Sequence, residues 1–527
     1  MPVRSPFPDV EIPELSLTEF LFRDLGDRAG APAFVDAGSG ASISFGELHG
    51  MAGKVAAALA ERGIGLGDVV GIFAPNTPYY PVVFHGILRA NAVVTSVNSL
   101  YTPTELAHQL RDSGAKLLFT VSPFLERAQA AVAEVGLPAE AIVVLDGAEG
   151  YTSLRDLLGT SAEPPPLEVG PGDTAVLPYS SGTTGRAKGV ILTHRNLVAN
   201  LCQIKPLFEI DEGTKLIAVL PFFHIYGMTV LMNNGIANRA TVVTMPKFDL
   251  PAFLRAISEY KIGYIYIAPP VAVALAKHPI VDEFDLSCVE VVFSGAAPLD
   301  AELGNAVAKR LGCRVQQGYG MTEMSPVSHA IPDSYTDVDV SSVGVTMPNM
   351  ECKLVDPETG EEVGPGGRGE LWCKGPNVMS GYLNNAEATA ATLDADGYLH
   401  TGDVATVTED GMFHIVDRVK ELIKYKGYQV PPAELEALLL THDKIADAAV
   451  IGVRGSGEHE GEEVPKAFVV RQAAGADLTE DEVIAYVAER IAPHKKVRVV
   501  EFIEEIPKSA SGKILRKDLR AREAART

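Results

Sequence analysis

Residues 178–196 read PYSSGTTGRAKGVILTHRN, and the reading of this stretch decides the fold. Ser180, Ser181, Thr183 and Thr184 alternate with Gly182, Gly185 and Gly189, with Arg186 and Lys188 inside the turn. One apolar run, Thr174 to Leu177, precedes it and another, Val190 to Leu192, follows, so the spacing predicts strand–loop–strand. Glycines let successive N–H groups turn toward one point, hydroxyls add donors, and Lys188 adds a mobile positive charge. Those are the requirements for holding a polyphosphate. It is not a Walker A loop, because G-x-x-x-x-G-K-[ST] needs Gly where Ala187 stands and Ser or Thr where Gly189 stands. Taken alone, a phosphate cradle and a plain surface hairpin are equally open.

The chain of 527 residues exceeds one core, and its length suggests about three or four domain-sized units. Apolar content of 46% and charged content of 21% suit a globular enzyme. Net charge is −23, from 68 acidic and 45 basic residues. Such a field repels nucleic acid and anionic lipid, so neither is an expected partner, and an anionic substrate needs a local cluster of donors. The five cysteines (Cys202, Cys288, Cys313, Cys352, Cys373) are scattered and never in a C-x-x-C pair. That argues against a zinc site or a disulfide framework and for a reducing compartment. No apolar leader opens the chain, no run spans a bilayer, and Ala525-Arg526-Thr527 is not a peroxisomal signal, so a cytoplasmic protein is expected.

Ser44 and Glu47 make a capping box for a helix whose stripe is Leu48, Ala52, Val55 and Leu59. A second capped helix starts at Thr102. Strands are predicted over Val69–Phe73, Lys116–Val121, Ala141–Leu145, Lys215–Leu220, Ala240–Met245, Ile262–Ala268 and Val289–Phe293. Helices Leu250–Tyr260 and Asp300–Leu311 lie among them. The alternation indicates an α/β fold: a large N-terminal domain of largely parallel β-sheets flanked by helices. From about Gly344 the pattern becomes a β-rich subdomain. There Gly364, Gly366 and Gly369 satisfy G-x-G-x-x-G, but the strand-like ELWCK follows, so they read as a turn. Asp417 to Glu421 reads as a solvated linker into a small, mobile α+β domain. That domain is expected to hold a capped helix Pro432–Leu440, strands Ala448–Val453 and Lys466–Arg471, and a helix Thr479–Ile491. The basic tail residues Lys508, Lys513, Arg516, Lys517 and Arg520 would ordinarily form a solvated face.

Seven elements occur in order: YSSGTTGRAKGV, PFFHIYG (221–227), FSGAAP (293–298), QGYGMTE (317–323), YLHTGD (398–403), VDRVKELIKYKGYQVPPAELE (416–436) and PKSASGKILR (507–516). Together they resemble the adenylate-forming superfamily of acyl- and aryl-CoA ligases, firefly luciferase and nonribosomal peptide adenylation domains. The wording is most similar to 4-coumarate–CoA ligases and luciferases. The resemblance implies a two-step reaction: a carboxylate attacks the α-phosphate of Mg·ATP, then the thiol of coenzyme A displaces AMP from the acyl-adenylate. It also implies a division into 1–419, binding ATP and acid, and 420–527, carrying the catalytic lysine.

Carried over by residue, the resemblance assigns Ser180, Ser181, Gly182, Thr183, Thr184, Gly185 and Lys188 to the β- and γ-phosphates. Ala296, Ala297, Tyr319 and Gly320 fall to the adenine, Thr322 to the α-phosphate, Glu323 to Mg²⁺, and Asp403 and Arg418 to the ribose. Asp403 in a Thr-Gly-Asp stretch would otherwise read as a turn former. Lys513 is implied to reach between the substrate carboxylate and the α-phosphate. Lys420 is the implied hinge, about which the face with Lys424, Gly427 and Gln429 replaces Lys513 for thioester formation. His224 resembles an aromatic gate, and Tyr226, Gly295, Gly318, Gly320, Pro326 and Val327 the acyl pocket, where glycines would leave a flat slot for a planar aromatic acid. Small pocket residues also admit medium-chain fatty acids. A stand-alone module loading a carrier protein would place an Asp near His224, Ile225 and Tyr226, where there is none.

Overall fold

The structure is a computed structural model that describes residues 2–180, 187–425, 428–455, 462–472, 475–510 and 512–525. Within the opening stretch, strands Tyr179–Ser180 and Lys188–Thr193 pair antiparallel, with Ser180 opposite Lys188. Thr193 then caps the helix His194–Ile204 by accepting the Asn196 amide, so the strand Lys188–Thr193 runs directly into that helix.

Lys188–Thr193 joins, through Thr174–Val176, a sheet whose centre is Val93–Ser96, Val69–Phe73, Ala115–Thr120 and Ile142–Val144 in parallel. A second sheet runs in parallel from Arg314–Gly320 through Val291–Ser294, Tyr264–Ile267, Lys215–Ala218 and Thr241–Thr244 to Pro32–Asp36. Val93–Ser96 and Tyr264–Ile267 are buried along their whole length, the pattern of strands covered on both faces. The capping box at Ser44 and the cap at Thr102 form as the sequence predicts, with Glu105 completing a box at the latter, and Leu250–Tyr260 has the predicted ends. The other predicted strands are observed within one or two residues, except that the C-terminal strands Ile445–Arg454 and Glu463–Arg471 start three residues earlier.

The β-rich part is an antiparallel sheet containing Glu351–Val355, Arg368–Lys374, Leu399–Val407 and Phe413–Arg418. Gly366 (φ +78°) lies in the turn between Glu362–Val363 and Arg368–Lys374, which both pair with Glu351–Val355, in keeping with the turn read from the failed dinucleotide motif. Thr401 to Asp403 is not a turn: it lies inside Leu399–Val407, where Asp403 is the cross-strand partner of Arg418.

Residues 423–500 build a core of their own around Ile423, Leu435, Val450, Val469, Val483 and Val500. Strands Ile445–Arg454, Glu463–Arg471 and Val499–Phe502 form its sheet. Two expectations fail here. Asp417 to Glu421 is no solvated linker, because Asp417 and Glu421 are buried and Arg418 ends a strand. The tail is no solvated face either: Arg516 meets Glu436 at 2.6 Å, Lys508 meets Asp447 at 2.6 Å, and Arg520 pairs with Glu421. Of that group only Lys517 is exposed. Helix Pro432–Leu440 carries no local side-chain cap; the Asp417 carboxylate accepts the Ala433 amide instead, at 2.9 Å.

Candidate active site

A cavity of about 1930 Å³ lies where the sheets and the C-terminal segment meet. On one side, Glu323 is a buried carboxylate in the short helical turn Thr322–Met324. Its Oε1 accepts from Ser180 Oγ at 2.9 Å and from the Tyr382 hydroxyl at 2.8 Å. Lys188 Nζ stands 4.1 Å from the centre of the Tyr382 ring. Burial, then the Glu323 charge, push the Tyr382 phenol far up, so it remains a donor. Among the described residues Glu323 has no ion-pair partner, and an unpaired buried carboxylate flanked by hydroxyls fits a hard divalent cation. Ser181, Gly182, Thr183, Thr184, Gly185 and Arg186 lie outside the described residues, as does Gly427.

Across the cavity, the Tyr319 hydroxyl donates to Asp403 Oδ2 at 2.6 Å, and Arg418 Nε is 3.2 Å from Asp403 Oδ1. Ala296 and Ala297 line the same wall, Ala296 in a left-handed conformation (φ +71°) that only a forced loop gives a non-glycine residue. Thr322, Gly320 and Lys420 also face the cavity, with Lys420 exposed at its edge.

Lys513 enters on the loop after Pro507. The loop is held by Ser509 N to Lys513 O (2.8 Å) and by Lys513 N to Ser509 Oγ (3.1 Å). Gly512 (φ +83°) also lets the loop approach Pro270, which an added Cβ would meet at 3.2 Å. Lys513 has no ion pair within 4 Å among the described residues; burial, then the Arg418 guanidinium, pull its ammonium down to about 8, against the pull of Asp403 and Glu323. Lys513 is half-buried here, not part of a solvated face.

His224 follows Phe222, whose amide donates to Asn76 Oδ1 at 2.7 Å; Asn76 Nδ2 in turn holds the Ala218 and Leu220 carbonyls. His224 Nδ1 accepts the Tyr226 amide at 3.3 Å. Burial, then Lys513, push its pKa down to about 4, so the ring is neutral at pH 7. Tyr226 opens a wide i→i+5 helical turn, Tyr226–Asn233, and its buried hydroxyl has no partner among the described residues.

Tyr226, Gly295, Gly318, Pro326 and Val327 all line the cavity, but the glycines do not vacate a flat slot. An added Cβ at Gly295 would lie 2.8 Å from Tyr226 Cε1, one at Gly318 2.7 Å from Phe293 Cζ, and one at Gly320 2.2 Å from the Pro326 carbonyl. Gly295 makes room for the Tyr226 ring, while Gly318 and Gly320 let Arg314–Gly320 approach Val327–Ala330. Lys424 and Gln429 are not brought to the cavity. They face each other across the hairpin Ile423–Tyr425 and Tyr428–Val430, with Lys424 exposed. Tyr382 escaped the sequence reading because one tyrosine in GYLNN carries no spacing signal; only tertiary packing puts it against Glu323.

The profile of the AMP-binding enzyme family matches residues 21–383, and that of the AMP-binding enzyme C-terminal domain matches 434–513. The 4-coumarate–CoA ligase 3 of Oryza sativa subsp. japonica is 40% identical over 99% of this chain and 95% of its own. The 4-coumarate–CoA ligase of Pinus taeda is 39% identical over 99% of this chain and 98% of its own. The crystal structure of the anthranilate CoA ligase AuaEII in complex with anthranoyl-AMP is similar, with a TM-score of 0.88 and 26% identity, covering 98% of each chain. No helix among the described residues is long and apolar enough to cross a membrane. The chain belongs to the AMP-binding enzyme family of the adenylate-forming superfamily and is an AMP-forming acid–thiol ligase.

Proposed function

We propose that this protein, working in the cytoplasm, joins an aromatic carboxylic acid, 4-coumarate or a related cinnamate, to coenzyme A through an acyl-adenylate, releasing pyrophosphate and then AMP. One observation carries the reading: an unpaired, half-buried Lys513 shares a cavity with Glu323, with the Tyr319–Asp403–Arg418 chain and with the apolar wall at Tyr226. In the first step the acid's carboxylate attacks the α-phosphorus of ATP and pyrophosphate leaves. Both reactants are anions, so the step needs positive charge aimed between them, which Lys513 supplies, with Thr322 donating to the α-phosphate. Lys188, Ser180 and the residues from Ser181 to Gly185 hold the outer phosphates. Glu323 would hold Mg²⁺, which supplies further charge neutralisation when bound.

Tyr319 stacks on the adenine beside Ala296, Ala297 and Gly320, and Asp403 with Arg418 takes the ribose hydroxyls. The acid lies along Tyr226, Gly295, Gly318, Pro326 and Val327, its ring substituent meeting the unpaired Tyr226 hydroxyl, with neutral His224 as the gate. In the second step residues 420–527 turn relative to 1–419 about Lys420, withdrawing Lys513 and presenting Lys424, Gly427 and Gln429 to coenzyme A. The exposure of Lys424 outside the cavity while Lys513 is inside supports two faces used in turn.

The test is pyrophosphate release across aromatic and aliphatic acids, with and without coenzyme A and EDTA. Cinnamates should exceed medium-chain fatty acids in kcat/KM, and activity should need Mg²⁺. A fatty-acid preference, EDTA-insensitive activity or ADP as product would overturn the reading.

A further inference from the structure

A buried cluster of donor side chains lies behind the Tyr319–Asp403 pair. Cys352 and Cys373 are direct cross-strand partners in Glu351–Val355 and Arg368–Lys374, with their sulfurs 3.5 Å apart. His329 faces them from the neighbouring sheet, and one of its ring nitrogens and the two sulfurs all lie within 4.8 Å of one another. All three residues are 0% exposed. Ser328 Oγ lies 3.0 Å from His329 Nδ1, whereas Nε2 has no hydrogen-bond partner among the described residues. Thr346, directly opposite His329 on the next strand, turns its buried hydroxyl to the Cys352 thiol, as the His329 ring also does. A thiol is a weak partner for either group, and two thiols, an imidazole and a hydroxyl enclosed together make a donor set that a soft cation can use.

We propose that Cys352, Cys373 and His329 bind one zinc ion, with the Thr346 hydroxyl available as fourth donor. The donor set is soft, which favours zinc over the hard cation that suits Glu323. On binding, each thiol gives its proton to solvent and keeps its electron pair, so two thiolates and a neutral imidazole cancel the ion's charge. Nothing is oxidised or reduced, and a neutral complex is what an apolar interior tolerates. With zinc–sulfur bonds of about 2.3 Å, two sulfurs of a tetrahedral site stand about 3.8 Å apart, near the spacing already present. Ser328 fixes the imidazole from its far side, as outer-shell partners of ligating histidines do. The sequence argued against zinc because no cysteines are close in the chain; antiparallel register supplies the proximity instead.

The ion ties together the two sheets that the nucleotide side chains span. Tyr319 is the cross-strand partner of His329, their rings 5.9 Å apart, and Cys373 pairs with Leu399 on the strand that carries Asp403. The clamp thereby fixes the distance across which Tyr319 reaches Asp403.

The test uses untagged full-length protein made in zinc-supplemented medium and washed with EDTA to strip exposed sites. Elemental analysis should find about one zinc per chain, retained because a buried site exchanges only on opening. Unfolding in guanidinium with a chromophoric chelator should release that zinc, with all cysteines then titrating as free thiols. Cys202→Ser should leave the stoichiometry unchanged, and Cys352→Ser with Cys373→Ser should abolish it. Cobalt-substituted protein should show a thiolate-to-cobalt charge-transfer band. The wild-type measurement stands even if the double variant does not fold. Less than about a tenth of an equivalent of zinc in wild type, or recovery of Cys352 and Cys373 as a disulfide, overturns the proposal.

Discussion

The Tyr319 hydroxyl and the Asp403 carboxylate, from strands of two different sheets, meet in a 2.6 Å hydrogen bond, and Arg418 closes on the other oxygen of Asp403. The carboxylate proposed to take the ribose hydroxyls is thus pre-oriented by a phenol and a guanidinium. Asp403→Asn removes the charge that both partners address. A charged hydrogen bond is worth about 1.5–3 kcal/mol, so KM for ATP should rise about 10- to 100-fold. Tyr319→Phe keeps the ring and should cost about 1 kcal/mol. Initial-rate kinetics with varied ATP check this; unchanged KM in Asp403→Asn would remove Asp403 from the nucleotide site.

The depressed Lys513 pKa gives a pH limb with a definite sign. The ammonium form is the useful one, and it is lost as pH rises through about 8 in the free enzyme. Adenylation kcat/KM should therefore fall on the alkaline side, while Lys513→Arg, permanently charged, should lose that limb even if it is slower throughout. Pyrophosphate release at subsaturating ATP from about pH 6 to about pH 10 reads it. The same alkaline limb in Lys513→Arg would assign it to another group.

Gly295 and Tyr226 should be coupled. An added Cβ would press on the Tyr226 ring, so Gly295→Leu should impair 4-coumarate by about 1–3 kcal/mol in kcat/KM, more than it impairs a smaller acid. Tyr226→Ala should relieve part of that loss in the double variant, giving non-additivity of about 0.5–3 kcal/mol. Strict additivity would mean that the substitution acts through the backbone.

Arg516 is a largely buried cation of the C-terminal segment, touching Glu436 and facing Asp417 and Glu421. Arg516→Ala leaves carboxylates buried without their partner and should cost about 3–5 kcal/mol. Adding Glu436→Gln should recover part of it. Thermal unfolding reads both, and a loss under about 1 kcal/mol would show that water reaches the cluster.

The α/β framework was legible because its signals are local. Ser44 with Glu47 and Thr102 with Glu105 are capping boxes in sequence and in structure, and buried runs such as Val69–Phe73 read as strands. The site was legible only through ordered motifs; Tyr319, Glu323 and Asp403 stand on separate elements that no periodicity connects. Misreadings arose where distant pairing overrides local character. Asp417 to Glu421 looks solvated until Arg516 and Arg520, about a hundred residues on, bury its carboxylates. The glycines at 318 and 320 look like an open slot until the adjoining strand is in place.

The most direct test separates the half-reactions. Lys513 lines the cavity and Lys424 stands outside it, and the proposed reaction uses them in different steps. Single-turnover kinetics should be run on Lys513→Ala and Lys424→Ala, fed either ATP plus acid or synthetic acyl-adenylate plus coenzyme A. Lys513→Ala should lose a factor of about 10²–10³ in adenylation and convert preformed adenylate at a near-normal rate. Lys424→Ala should keep adenylation and slow thioester formation. Equal impairment of both steps in Lys513→Ala would contradict the account.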